Sequence, residues 1–337
     1  MAANSLSAEF ALGTFSVAGS EPFGALVVDD RAIALDALYS RDGRGPRAVL
    51  SVLETWETSF PQLRRAAEEI RNQRASRRLL NLMSPIEVLT PHPPVVPRQF
   101  FCTGANYRGH VAGLMRGDSS MRPPGSEKED PEEVARRGEA QANELAKSSH
   151  PFCFIKLPTA IVGARDQIIL PKDVHKPDWE LELAVVIGKP ARRVSAKDAM
   201  AHVAGYSILN DLTARELVRS ARVGFDWLAG KSHPTFAPFG PYMVPAAFVP
   251  DPYDLKIQLS VNGKMMQDES TSAMLIDISR QIEWLSSIVT LMPGDVISTG
   301  SPAGNGSMYG IFLKPGDIID AMISGLGTQH NVCVAEE

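Results

Sequence analysis

Cysteine is nearly absent: Cys102, Cys153 and Cys333 stand far apart, with no Cys-x-x-Cys spacing. That excludes a disulfide framework and a thiolate zinc site, and reduced thiols fit a cytoplasmic protein. Charge of one sign is also lacking. There are 34 Lys and Arg against 39 Asp and Glu, a net charge of −5, with no basic stripe that would suit nucleic acid. No apolar run approaches the roughly 20 residues of a membrane span. The opening MAANSLSAEFALG lacks a basic segment followed by an apolar core, so no secretory signal is expected and a cytoplasmic location is. Among motifs, the glycine-rich stretch Gly300-Ser301-Pro302-Ala303-Gly304-Asn305-Gly306 is not followed by Gly-Lys-Ser/Thr, so it is no P-loop. It lacks the strand–GxGxxG–helix setting of a dinucleotide site and reads as a backbone wall around something small. There is no Gly-x-Ser-x-Gly elbow, and no internal repeat.

What is present is 337 residues, 44% of them hydrophobic, enough for a sizeable core and one or two domains. Residues 1–83 read as a small N-terminal α+β domain. It has a hairpin, 25–28 and 32–35 about Asp29-Asp30, then a helical stretch over 60–83. Five prolines between 84 and 99 mark a linker or extended crossing. The unit 100–337 is rich in strands that seldom alternate with helices, which favours an α+β sheet assembly over a doubly wound one. Within it, 116–149 is a charged insertion, either a lid or a plain surface addition. It comprises a loop at 116–129 and a helix over 131–147 that starts at Asp130-Pro131-Glu132-Glu133. Asn262-Gly263 marks a tight hairpin, Thr213-Ala214-Arg215-Glu216 reads as a capping box, and residues 273–288 read as a helix.

Chemistry concentrates near the middle of the chain. In Pro177-Asp178-Trp179-Glu180-Leu181-Glu182-Leu183-Ala184-Val185, alternation predicts a strand with Glu180 and Glu182 on one face beside Ala184. Carboxylates two residues apart on a strand, roughly 7 Å at the backbone, can converge on one cation. The same alternation also describes the solvated face of an edge strand. Asp211, at a strand end before a helix, is either a third oxygen ligand or a helix cap. Three carboxylates suit Mg²⁺, Mn²⁺ or Ca²⁺. His110 and Lys231 are lone residues in polar turns. Facing a metal, Lys231 would hold an anionic substrate oxygen.

Taken in order, these stretches resemble the fumarylacetoacetate hydrolase family. They are Asn106-Tyr107-x-x-His110, residues 154–163, Asp178-x-Glu180-x-Glu182, Asn210-Asp211-x-Thr213-Ala214-Arg215, Gly230-Lys231-Ser232, Asn262-Gly263 and residues 293–304. The resemblance covers roughly 100–334 and implies a mixed β-sandwich roll, a homodimer, and Mg²⁺ or Mn²⁺ on Glu180, Glu182 and Asp211. It also implies His110 as a water-activating base, Lys231 as enolate or carboxylate stabiliser, and Arg215, Tyr107, Ser301 and Gly300 around the substrate. The activity first expected is hydrolysis of a carbon–carbon bond in a 1,3-diketo acid such as an acylpyruvate. The alternatives are decarboxylation or isomerisation of a 2-oxo acid, and a metal-binding protein without catalysis. Two positions depart from the family pattern. Gly113 stands where the hydrolases carry a Glu that pairs with the His, and Val218 stands where a Gln often contacts substrate. An acid of the insertion, Glu139 or Glu144, is expected to replace the missing Glu.

Overall fold

The computed structural model describes residues 8–39, 45–117, 125–126, 128–220 and 224–337. Its centre is a six-stranded sheet in the order Val244–Pro245, Val203–Asn210, Leu181–Ile187, Val296–Ser298, Phe100–Gly104, Phe152–Ile155. All neighbouring pairs are antiparallel except Val296–Ser298 with Phe100–Gly104. The central strand Leu181–Ile187 is buried throughout. Leu181, Leu183, Val185 and Ile187 pack with Ile257, Leu259, Ile319 and Ile323 of a second sheet. Ala184 and Val186 pack with Leu12, Leu26, Ile33 and Leu63 of the N-terminal region. The strand is thus covered on both faces, by the second sheet on one and by the N-terminal region on the other.

The second sheet runs Lys264–Ser270, Lys256–Val261, Ile318–Ile323, Gly327–Ala335, Ile168–Leu170. Its hairpin turns at Asn262-Gly263 as expected, both residues with positive φ (51° and 77°), the geometry a type I′ turn needs.

In the N-terminal region the hairpin about Asp29-Asp30 is present, pairing Phe23–Val28 with Arg31–Ala34. The proline-rich stretch behaves differently from a plain linker. Ser84–Pro85 and Thr90–His92 are the two edge strands of the five-stranded N-terminal sheet. Proline is tolerated there because an edge strand has unpaired N–H positions to spare. Leu12 and Met243 exchange two backbone hydrogen bonds (2.9 and 2.7 Å), tying this sheet to the rest of the chain. The helix expected over 60–83 is two helices, Trp56–Arg71 and Arg77–Asn81. The chain breaks at Gln73, with φ of 54°, and restarts at Ser76, whose hydroxyl accepts from the Leu79 N–H. The helix expected over 273–288 shortens to Ile278–Ile288, because Asp277 caps it by accepting from the Arg280 N–H at 2.8 Å.

The insertion helix spans Pro131–Ser148, with Asp130 capping it as expected. It lies on the helix Arg108–Gly117, with Gly138 at the contact. A Cβ at Gly138 would stand 2.0 Å from the Met115 sulfur. Most of the loop expected at 116–129 falls outside the described residues.

Candidate active site

Ends of neighbouring strands in the central sheet meet at one edge. Leu181 pairs with Asn210, so Glu180 and Asp211 stand side by side just beyond the paired residues. The strand Val296–Ser298 delivers Ser298, Gly300 and Ser301 to the same edge, and Phe100–Gly104 delivers Thr103. Glu180, Glu182 and Asp211 are all buried, and each offers a carboxylate oxygen within 4.8 Å of the others. The face predicted from alternation is therefore not a solvated one. Buried carboxylates need positive or hydrogen-bonding partners, and all three have them.

Lys231 reaches both Glu180 Oε2 and Asp211 Oδ2 at 2.5 Å. Lys156, fully buried, donates to Asp211 Oδ1 (2.6 Å) and to the carbonyls of Leu212 and Phe236. Arg215 grips two acids, with Nε on Asp178 (2.7 Å) and Nη2 on Glu180 (2.5 Å). Glu182 has neutral donors instead: the Ser298 hydroxyl at 2.5 Å and the Gly300 N–H at 2.8 Å.

The electrostatics follow from that arrangement. Burial alone would raise the Glu180 carboxyl, but Arg215 and Lys231 outweigh it and hold it below the usual range. Glu182 goes the other way: burial, reinforced by the charges of Asp211 and Glu180, pushes it well up. Lys231 is raised, because Asp211 and Glu180 overcome its desolvation. In Lys156 desolvation wins over Asp211, and its ammonium is lowered. Four carboxylates face three cations here, and the uncompensated one is Glu182. A hard divalent cation fits this set. The ligand atoms are all oxygen and already gathered, and Glu182 is the residue that lacks a positive partner.

Asp211 is not the helix cap that it could have been, and the expected capping box does not form. Thr213–Ala214 pairs as a strand with Pro177–Asp178. Glu216 turns away to accept the backbone N–H groups of His175 and Lys176. The helix Arg215–Val218 begins without a side-chain cap, since pairing to Pro177–Asp178 and the pull of Arg215 toward two acids fix the chain there.

His110 lies on the helix Arg108–Gly117, buried, with Nδ1 2.7 Å from Asn305 Oδ1. Asn305 is oriented by its own amide, which donates to the Trp179 carbonyl at 2.7 Å. Its oxygen therefore faces the ring, so Nδ1 carries the proton and Nε2 is the acceptor. Burial lowers the His110 pKa, with the charge of Glu180 acting in the opposite direction. The expectation that Glu139 or Glu144 replaces the missing acid is corrected. Glu144 is exposed and paired with Lys147, Glu139 lines a surface groove with Arg116 and Glu132, and Asn305 is the partner of the imidazole. Gly113 has its own reason: a Cβ there would lie 2.4 Å from the sulfur of Met308, which fills the space an acid would need.

These groups form the floor of a cavity of about 760 Å³. His110, Lys231, Arg215, Ser301 and the three carboxylates line it. Tyr107 and Gly300 are not among the described residues that do. Tyr107 is fully buried behind the wall, and the Gly300 N–H is committed to Glu182. Sequence reasoning assigned no role to Lys156, Asp178, Gln267 or Asn305, although the first two lie in the motifs that carry the resemblance and Asn305 in the glycine-rich stretch. Gln267 accepts the Leu181 N–H and donates to the Ser301 hydroxyl (2.9 Å), holding that hydroxyl in place. Asp178 accepts from Arg215 and from the N–H groups of Gly306 and Ser307, joining the cation to the glycine-rich loop. For Lys156 the available signals were a lone Lys directly after the apolar run Phe152–Ile155 and its place in the 154–163 motif.

Comparison with known proteins agrees with this geometry. The family model for the C-terminal part of fumarylacetoacetate hydrolase matches residues 99–334. A Bos taurus protein named oxaloacetate tautomerase FAHD2B, mitochondrial, is 35% identical over 291 residues, 86% of this chain and 80% of its own length. Among solved structures, a 2-hydroxyhepta-2,4-diene-1,7-dioate isomerase from Mycobacterium marinum is 26% identical. It covers 97% of this chain and 99% of its own, with a TM-score of 0.66. A fumarylacetoacetate hydrolase from Exiguobacterium antarcticum is also 26% identical, covering 97% and 100%, with a TM-score of 0.69. Among the described residues no helix is long and apolar enough to cross a membrane.

Proposed function

Since the chain belongs to the fumarylacetoacetate hydrolase family, we propose that it is a divalent-metal-dependent tautomerase or isomerase of a 2-oxo dicarboxylic acid of the oxaloacetate kind. The observation that carries this reading is the neutral partner of His110. Activating water for C–C hydrolysis calls for a strong base, and a carboxylate behind the imidazole stabilises the imidazolium that forms. Asn305 gives orientation without charge. Moving a proton between an enol oxygen and the adjacent carbon asks less, because one neutral imidazole can accept the proton and return it. The name of the bovine relative supports the same reading.

Glu180, Glu182 and Asp211 would hold Mg²⁺ or Mn²⁺, which supplies Lewis acidity toward a 2-oxo acid. Every other part is played by the chain itself. Lys231 and Arg215 bring positive charge to the cavity floor where substrate oxygens gather. The Ser301 hydroxyl accepts from Gln267 and donates to the Pro302 carbonyl at 3.2 Å, and by rotating away from that carbonyl it would offer a hydrogen bond to a carboxylate. His110 Nε2 would take the proton from the enol oxygen and return one to the adjacent carbon of the same molecule, so the imidazole ends neutral and no bond between carbons breaks. We include a homodimer in the proposal, testable by light scattering.

Hydrolysis of an acylpyruvate remains as a second reading, favoured by a cavity larger than a four-carbon acid fills. Incubating the metal-loaded protein with enol-oxaloacetate and with acetylpyruvate separates the two. Accelerated loss of the enol absorbance without pyruvate or CO₂ is expected. Pyruvate and acetate from acetylpyruvate would instead support hydrolysis, and inertness toward both would leave a binding protein.

A further inference from the structure

One dipeptide holds the loop that presents Asn305 to His110. Asp178 and Trp179 are both fully buried, at the end of the short strand Pro177–Asp178 and just after it. The Trp179 indole N–H donates to the Gly304 carbonyl at 2.9 Å, and the Trp179 carbonyl accepts from the Asn305 amide at 2.7 Å. Asp178 accepts from the Gly306 N–H on Oδ1 (2.6 Å) and from the Ser307 N–H on Oδ2 (3.0 Å). Four successive residues of the loop are thus bonded to two adjacent residues far away in the chain. Arg215 Nε donates to the same Oδ2 at 2.7 Å and supplies the positive charge that a buried carboxylate needs. The approach leaves no room for a side chain at either glycine. A Cβ at Gly306 would stand 2.9 Å from both Asp178 Oδ1 and the Trp179 ring, and one at Gly304 would stand 1.9 Å from the Met266 carbonyl oxygen.

That grip decides which end of the Asn305 amide meets the imidazole. With its NH₂ on the Trp179 carbonyl and, at 3.3 Å, on the Ser301 hydroxyl, Asn305 keeps its oxygen for His110 Nδ1. Turned over, the amide would set its oxygen against the Trp179 carbonyl and its NH₂ against Nδ1. The ring would then have to accept at Nδ1 and carry its proton on Nε2, the nitrogen that must be free to take one. We propose that Asp178 and Trp179 are positioning residues, which clamp the loop and through Asn305 hold His110 in its proton-accepting tautomer. Neither is among the residues that line the cavity, so both act through other groups. The inference rests on the reading of His110 as the base that moves the proton. Asp178 contributes the stronger bonds, since a charged acceptor holds an N–H roughly twice as strongly as a neutral one.

Nitrogen NMR of the Mg²⁺-loaded protein, with its histidine rings labelled with ¹⁵N, reads the tautomer directly at about pH 8, where the ring is neutral. His110→Asn assigns the signal. Wild type should show Nδ1 protonated and Nε2 bare. Trp179→Phe removes one bond of the clamp and Asp178→Asn weakens two, and each should give a mixture of the two tautomers. With enol-oxaloacetate, kcat should fall about tenfold in each, the worth of one hydrogen bond. Trp179→Phe should keep its oxalate affinity within about threefold, which shows a folded protein with its floor intact and lets this variant carry the test if Asp178→Asn does not fold. In an Asn305→Ala background, Trp179→Phe should lower kcat by no more than about twofold, because no amide is left to orient. A ring that stays in one tautomer in Trp179→Phe, or a kcat loss that is the same with and without Asn305, would overturn the proposal. A wild-type ring protonated on Nε2 would remove the reading of His110 and the proposal with it. If the tautomer pattern holds but no 2-oxo acid is turned over, the clamp stands and only the catalytic reading falls.

Discussion

On the proposed reading, the proton chemistry of the cavity comes down to two side chains, His110 and Asn305. Replacing His110 with Asn should lower kcat by about 10²- to 10⁴-fold, the usual value of a positioned acid–base group, and leave KM within a few-fold. Steady-state kinetics on enol-oxaloacetate measure both. Burial depresses the imidazole pKa, so the neutral, proton-accepting form persists to lower pH than in an ordinary histidine. The acid limb of kcat/KM should accordingly fall below pH 6.5, and a bound cation shifts it the same way. A limb above 6.5 would mean that a carboxylate governs the ring after all. Lys156 makes a different kind of prediction. It is the fully buried partner of Asp211, and Lys156→Met leaves a carboxylate short of its cation. Removing one partner of such a pair costs about 3–5 kcal/mol, readable by urea unfolding of the metal-free protein. Residues of this sort were hard to see in the sequence. Glu180 and Glu182 announced themselves by spacing, whereas Lys156, Asp178 and Asn305 act only because strands distant in sequence bring them together.

Among elements, the helix Arg108–Gly117 and the segment that carries Met308 meet at Gly113, where the family pattern has an acid. Met308 of the loop occupies the space over Gly113. Gly113→Glu should therefore destabilise the protein by about 1–3 kcal/mol through overpacking, seen as a lower thermal midpoint, and should not by itself create a hydrolase. Elements with their own local chemistry were legible. The hairpin at Asn262-Gly263 and the helix Pro131–Ser148 behind Asp130 follow from turn and cap residues alone. Elements that depend on distant partners were not. Thr213 to Glu216 has the letters of a capping box, but pairing with Pro177–Asp178 overrides it. The prolines of 84–99 suggested a linker because sequence does not reveal which strands will lie at an edge.

In the molecule as a whole, the N-terminal region and the second sheet bury both faces of the central sheet and leave its site-bearing edge open to the cavity. The carboxylate cluster that results lacks one positive charge, so divalent metal should stabilise the folded protein. At a hundred times its dissociation constant the cation should add about 2.7 kcal/mol, and chelation should reverse the gain. Glu182→Gln, which removes the uncompensated charge, should abolish most of the effect. The family and the carboxylate cluster were visible in the ordered motifs. The choice of tautomerisation over hydrolysis proposed above was not, because that proposal rests on Asn305, which no spacing rule marks. The most direct test follows oxaloacetate in D₂O by proton NMR, with metal-loaded wild type and His110→Asn. Enol–keto interconversion well above the spontaneous rate, lost in the variant and without pyruvate, is predicted. Unchanged interconversion alongside cleavage of acetylpyruvate would contradict it.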